Sequence, residues 1–178
     1  MTGADYEREL KGILSGDQST LMATTRRFTL EERAGYFLTT KRHVLVVRGA
    51  GSLGFDLVAL RGTWAFPIEV KSSLVERIGF SENARVTEQI AAYRRECAAA
   101  DVLPLYAFRL KRANGDPWRL FAGLYAADPI PTEGLGRLLV TTGKVPKVET
   151  TERGNSLLNW NKGLPLHRFL HYLLDRDG

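Results

Sequence analysis

Hydrophobic positions along the chain change period from block to block. Over 5–15 the spacing is helical, with Tyr6, Leu10, Ile13 and Leu14 on one face. Glu7 and Glu9 flank that face on opposite sides, so either can reach a neighbouring site while the helix packs on a sheet. Residues 16–27 are polar and weakly patterned. Thr29, three positions before Glu32, forms a capping-box signature that predicts a second helix over 30–40. From His43 the pattern shortens. The β-branched run 44–47 reads as a buried strand, and 48–54, with three glycines in seven residues, reads as a turn. Residues 55–60 make a second strand. Arg61-Gly62-Thr63 is a hairpin turn, and 64–71 is a third strand in which Pro67 predicts a break or bulge. Residues 72–83 read as a polar loop.

The segment 84–100 is alanine-rich and free of proline, a helix whose buried face carries Ile90, Tyr93 and Cys97. Strands follow at 103–111 and 118–126, joined through the turn residues 114–116. Between 129 and 164 the pattern is weak, apart from a short apolar piece at 135–142. The last segment, 164–176, is an amphipathic helix with the stripe Leu166, Phe169, Leu170, Leu173 and Leu174. The predicted fold class is α/β, a mixed central β-sheet flanked by helices. A short 61–63 connection makes an antiparallel ribbon, and the helix-then-hairpin unit extends it.

Composition narrows the class. A chain of 178 residues with 44% hydrophobic and 10% aromatic content can build one domain with a real core and is not a disordered segment. No apolar run approaches the ~20 residues that span a bilayer, so no membrane association is expected. The polar, acidic start MTGADYEREL does not read as a secretory signal, which predicts a cytoplasmic protein. A single cysteine, Cys97, excludes an internal disulfide, a cysteine zinc site and a four-cysteine cluster. The net charge of +5 is compatible with a polyanionic partner. Two basic clusters, Arg26-Arg27 and Lys41-Arg42, flank the 30–40 helix and are candidates to face phosphates.

The candidate chemistry lies in 48–71. Glu69 and Lys71 are two apart on a strand, so they share a face, while Val70 points the other way and offers its carbonyl. Asp56 stands 13 residues before Glu69, a gap that lets the hairpin bring the two carboxylates opposite each other. Magnesium takes hard oxygen ligands, typically one or two carboxylates plus waters and substrate phosphate. Phosphodiester cleavage also needs a cation that steadies developing charge or the attacking water. Asp56, Glu69 and Lys71 supply that set.

These residues, RGAGSLGFD and IEVK, preceded by YERELKGIL and followed by a helix and a hairpin, resemble the archaeal-type Holliday junction resolvases of the PD-(D/E)xK nuclease superfamily. The resemblance covers residues 5–14 and 44–123. It implies a restriction-endonuclease-like core and a helix glutamate in the site, matching Glu7. It implies a basic residue at the loop start (Arg48), a serine in the glycine loop (Ser52), the metal ligands Asp56 and Glu69, and the catalytic lysine Lys71. It also implies magnesium, with manganese able to substitute, branched DNA as substrate, and a homodimer that cuts two strands symmetrically. The 103–126 hairpin or the 164–176 helix is the expected source of the dimer surface. Gln89 and Tyr93 form a Q-x3-Y spacing similar to one in RecB-type nucleases and are candidates to contact DNA. The chain departs from the resolvase pattern by a helical insertion at about 16–43 and a C-terminal extension at about 124–178, here read as parts of a single nuclease domain. Another nuclease of the superfamily, acting on flaps, ends or a restriction site, and a catalytically idle DNA-binding subunit are the alternatives.

Overall fold

The computed structural model describes residues 3–49, 54–80, 84–151 and 155–175. Helix α1 (Gly3–Leu14) buries the four residues its periodicity marks, Tyr6, Leu10, Ile13 and Leu14. The polar stretch after it is helical too. Asp17 caps α2 (Gln18–Thr24), accepting from the Thr20 N–H at 2.8 Å. Only Leu21 of α2 is buried, so the helix has a cap but no hydrophobic period. Helix α3 (Leu30–Lys41) begins at the Thr29–Glu32 capping box, with both reciprocal bonds formed.

Strands β1 (Leu45–Arg48), β2 (Leu57–Arg61) and β3 (Trp64–Ser73) form an antiparallel meander. The run 44–47 is not buried on both sides. It is an edge strand that buries Val46 and leaves Leu45 and Val47 exposed. Pro67 makes no bulge: it pairs with Val58 in continuous register. Strand alternation turns its ring nitrogen toward the next strand, whose ladder begins one residue later at Ile68. The expected loop at 72–83 is also shorter, because β3 runs on to Ser73 and β4 (Arg77–Phe80) follows.

Helix α4 (Ala84–Ala99) leads to β5 (Leu105–Leu110), which is parallel to β3, and β6 (Trp118–Ala122) returns antiparallel. The weakly patterned region then yields α5 (Gly134–Thr141), β7 (Glu149–Thr150), β8 (Ser156–Asn159), a 3-10 turn at Trp160–Lys162 and β9 (Leu164–Pro165), and the predicted last helix follows as α6 (Leu166–Leu174). The main sheet has the order β1-β2-β3-β5-β6-β9, and β4-β8-β7 form a second, small sheet. The protein is thus mixed α/β with a mixed central sheet. Among the described residues no helix is long and apolar enough to cross a membrane.

The larger core lies on one face of the main sheet, where Phe66, Ile68, Ala107, Trp118 and Leu120 meet α1, α3 and α6. On the opposite face Tyr106, Phe108 and Phe121 pack against Val148 and Leu158 of the C-terminal region. Every residue of the α6 stripe is buried in the larger core. The hairpin and the last helix therefore spend their apolar surface inside this chain, contrary to the expectation that they form a dimer surface.

A buried polar hub ties these parts together. Asp116, 1% exposed, accepts from the Tyr36 hydroxyl at 2.7 Å, the Trp118 N–H at 2.9 Å, and the His167 N–H and ring Nδ1 at 2.9 and 2.8 Å. Its own N–H donates to Glu32 at 3.0 Å. One carboxylate thus joins α3, the β5–β6 turn and the start of α6. Beside it α3 and α6 approach so closely that a Cβ on Gly35 would meet the His167 carbonyl at 2.7 Å.

Candidate active site

Strands β1, β3 and β5 run in the same direction, so their C-terminal ends lie at one end of the sheet. Arg48 ends β1, and Asp56 immediately precedes β2, which runs the other way. Glu69 and Lys71 lie in the last turns of the β3 pleat. Phe66 and Ile68 point into the larger core, so alternation sends Glu69 and Lys71 to the opposite face, with Asp56.

The contacts bind this group together. Asp56 Oδ2 accepts from the Val70 N–H at 2.7 Å. The β2 ladder ends at Ile68, so the Val70 N–H is past its last rung. In a strand the N–H and C=O of one residue point the same way, so the Val70 carbonyl also faces the Asp56 side. Lys71 Nζ lies 2.7 Å from Glu69 Oε1, and both are partly buried. Glu7 reaches from α1 to Arg48, with Oε2 2.8 Å from the guanidinium.

The charges are not at ease. Burial pushes the Asp56 carboxyl above its usual range, and the neighbouring Glu7 adds to the shift. The Val70 N–H bond, Lys71 and Arg48 oppose it. Two carboxylates that repel each other, one desolvated, form an oxygen donor set that gains from a divalent cation. Among the described residues no three carboxylate, imidazole or thiol side chains already converge as a ready-made metal cage. Each donor is held by a protein partner instead: Asp56 by Val70, Glu69 by Lys71 and Glu7 by Arg48.

Tyr93 of α4 closes one side. Its ring lies 5.5 Å from that of Phe55, and Gly54 approaches its Cβ. Burial holds its phenol strongly in the protonated form, with Glu69 among the nearby charges that reinforce this. The Tyr93 hydroxyl has no hydrogen-bond partner among the described residues. The Cys97 thiol is near enough for each group to perturb the other. Burial pushes that thiol up to about 11, which makes Cys97 an inert core residue.

The other anticipated residues divide. Glu9 is neither solvated nor at the site: it accepts from Arg109 Nε and Trp118 Nε1, both at 2.9 Å. Arg26 and Arg27 line a pocket with Arg109 and Lys111 at the same end of the sheet as the carboxylates. Lys41 and Arg42 precede β1 and so lie at its opposite end from Arg48. The 12-residue α3, about 18 Å long, separates the two clusters. Ser52 and the Gln89 side chain lie outside the described residues. Sequence reasoning missed Arg109 and Lys111, whose only signal is two basic residues with strand spacing at the end of β5.

No protein-family model and no curated protein matches the chain. A solved structure of Hjc from Archaeoglobus fulgidus, a Holliday junction resolvase from an archaeal hyperthermophile, is similar at 21% identity and a TM-score of 0.43. The match covers 71% of this chain and 88% of that one.

Proposed function

We propose that this chain is a metal-dependent endodeoxyribonuclease of the PD-(D/E)xK kind, acting on branched DNA and resolving four-way junctions as a homodimer. The observation that carries the reading is the Asp56 carboxyl, raised by burial and by Glu7, fixed on the Val70 N–H beside the Glu69–Lys71 pair. Its charge opposes folding even though its oxygen pairs the Val70 N–H, and a carboxylate held against its charge is a common mark of a functional group.

Asp56, Glu69 and the Val70 carbonyl would hold magnesium, or manganese in its place, with Glu7 a further ligand or its outer support. When bound, the ion lowers the pKa of a water and polarises the scissile phosphate. Lys71 orients the attacking water or steadies charge on the phosphate, and Glu69 keeps its ammonium pointed into the site. Arg48, more than half exposed, meets a backbone phosphate while Glu7 fixes its direction. Ser52 and Gln89 are further DNA contacts in this reading. Tyr93, close enough for Glu69 to influence its phenol, keeps open a RecB-like, flap- or duplex-cutting enzyme of the same superfamily.

The test uses a synthetic four-way junction, a flap and a linear duplex, each with Mg²⁺ or EDTA. Junction cleavage in paired nicks, in Mg²⁺ only, is the expected result, and Lys71→Ala should be slower by about 10²–10³. Cleavage that persists in Asp56→Ala protein would remove the site assignment. A monomer at micromolar concentration would remove symmetric resolution.

A further inference from the structure

Helix α1 sends two glutamates in different directions. Glu7 goes to Arg48 and the carboxylates, and Glu9 goes to Arg109. On the Glu9 side lies a pocket of about 360 Å³ that the chemistry above does not use. Arg26, Arg27, Arg109 and Lys111 line it against the single carboxylate of Glu9, an excess of three positive charges. Arg109 is pinned, since its Nε meets Glu9 and its guanidinium lies 4.6 Å from the centre of the Tyr6 ring. The other three cations are exposed and form no ion pair among the described residues. Lys111 extends over the same Tyr6 ring at 5.6 Å. One pinned guanidinium behind three open cations is an arrangement built for an anion with several oxygens.

Its position adds direction. Lys71 pairs with Phe108 across the β3–β5 ladder, and Lys111 lies three residues further along β5. That is on the order of 10 Å at ~3.3 Å per residue. Arg109 and Lys111 face Tyr6 of α1, on the side of the sheet away from Lys71, so the pocket and the carboxylates adjoin only around the strand ends. The insertion supplies Arg26 and Arg27, so the residues that depart from the resolvase pattern build half of the pocket.

We propose that this pocket is a second phosphate site, taking a backbone phosphate of the DNA that wraps the strand ends from the carboxylates Asp56 and Glu69. The ligand rests on the nuclease reading, whereas the pocket's geometry does not. The pocket reads charge and not bases, so it adds affinity and register without sequence preference.

The test measures binding of the full chain to a fluorescent four-way junction and a linear duplex in EDTA, between 50 and 200 mM salt. Wild type is compared with Arg26→Ala/Arg27→Ala, with Lys111→Ala, and with Lys144→Ala/Lys162→Ala as an equal loss of charge elsewhere. Each lost duplex contact flattens the plot of log affinity against log salt by about 0.9. The arginine pair should therefore lower the slope by about 1.8, and Lys111→Ala by about 0.9. Over that fourfold salt range the arginine variant would lose roughly tenfold less affinity than wild type. Unchanged slopes, or an equal change in the control pair, overturn the proposal. Binding in EDTA does not depend on cleavage. A protein that binds with these slopes but never cuts in Mg²⁺ keeps the pocket and loses the nuclease reading. One that cuts normally while the slopes stay flat across variants loses the pocket alone.

Discussion

Replacing Asp56 separates a functional carboxylate from a structural one, because two variants remove different things. Asp56→Asn keeps an oxygen for the 2.7 Å bond from the Val70 N–H and removes the charge. Asp56→Ala removes both. The Asp56 carboxyl is raised in the folded protein, by burial first and Glu7 next. For an acid raised on folding, no cost exists below its unfolded value, where both states are protonated. The cost builds as pH rises through the window between the unfolded and folded values, and it is complete above it. At neutral pH Asp56→Asn should therefore be at least as stable as wild type, and the difference should vanish near pH 3. The usual gain from replacing a group held for function is about 0.5–2 kcal/mol. Asp56→Ala leaves a partly buried N–H unpaired, which costs about 1–3 kcal/mol relative to Asp56→Asn. In a domain of this size that gap is roughly 2–4 °C in melting temperature per kcal/mol. Scanning calorimetry of the three proteins at pH 3 and pH 7.5, without metal, reads all of this, and Mg²⁺ should then raise the melting point of wild type alone. Both variants should lose cleavage. An Asp56→Asn protein that melts well below wild type at pH 7.5 would refute the reasoning, since the charge would then be stabilising.

Two further outcomes test the packing that carries the site. Asp116→Asn turns one of the two acceptor oxygens into a donor, facing either the Tyr36 and Trp118 donors or the His167 N–H. It should cost about 3–5 kcal/mol, and Tyr36→Phe about 1.5–3, both measured by urea unfolding. Gly35→Ala would normally favour a helix by about 1 kcal/mol. Here the added methyl meets the His167 carbonyl and Cβ at 2.7 and 2.8 Å, so a loss of about 1–3 kcal/mol should appear in the same assay.

Much of the site was legible because its residues obey short-range rules. A two-residue step on a strand puts Glu69 and Lys71 on one face, and a hairpin of fixed length returns Asp56 to that strand. The α1 stripe and the α3 capping box are equally local, and both form as written in the sequence. What was not legible depends on partners far away in sequence. Helical projection favours Glu7 over Glu9 only slightly. The placement of Arg48 and Arg109 at opposite flanks of α1 then sends them apart. The small sheet was hidden because its strands are two to four residues long, too short for a period, and pair β4 with β8 across about 80 residues. Lys41-Arg42 looked equivalent to Arg26-Arg27 because charge clusters carry no address. The length of α3 sends them to opposite ends of the sheet.

The segments 16–43 and 124–178 lie at opposite ends of the sequence, yet they meet. Gly35 of α3 lies against His167 of α6, and Asp116 holds Tyr36 and His167 at once. Neither segment can be lost alone without exposing what the other covers: α6 buries Phe169 against Phe66, and the C-terminal strands cover Tyr106, Phe108 and Phe121. The shared carboxylate belongs to the β5–β6 turn, and β5 also ends at Arg109 and Lys111. The same segment that locks onto α6 therefore presents Arg26 and Arg27 to Arg109 and Lys111 at the C-terminal end of β5. A change that loosens the Asp116 hub should weaken DNA binding as well as stability, whereas Asp56→Asn should leave binding in EDTA intact.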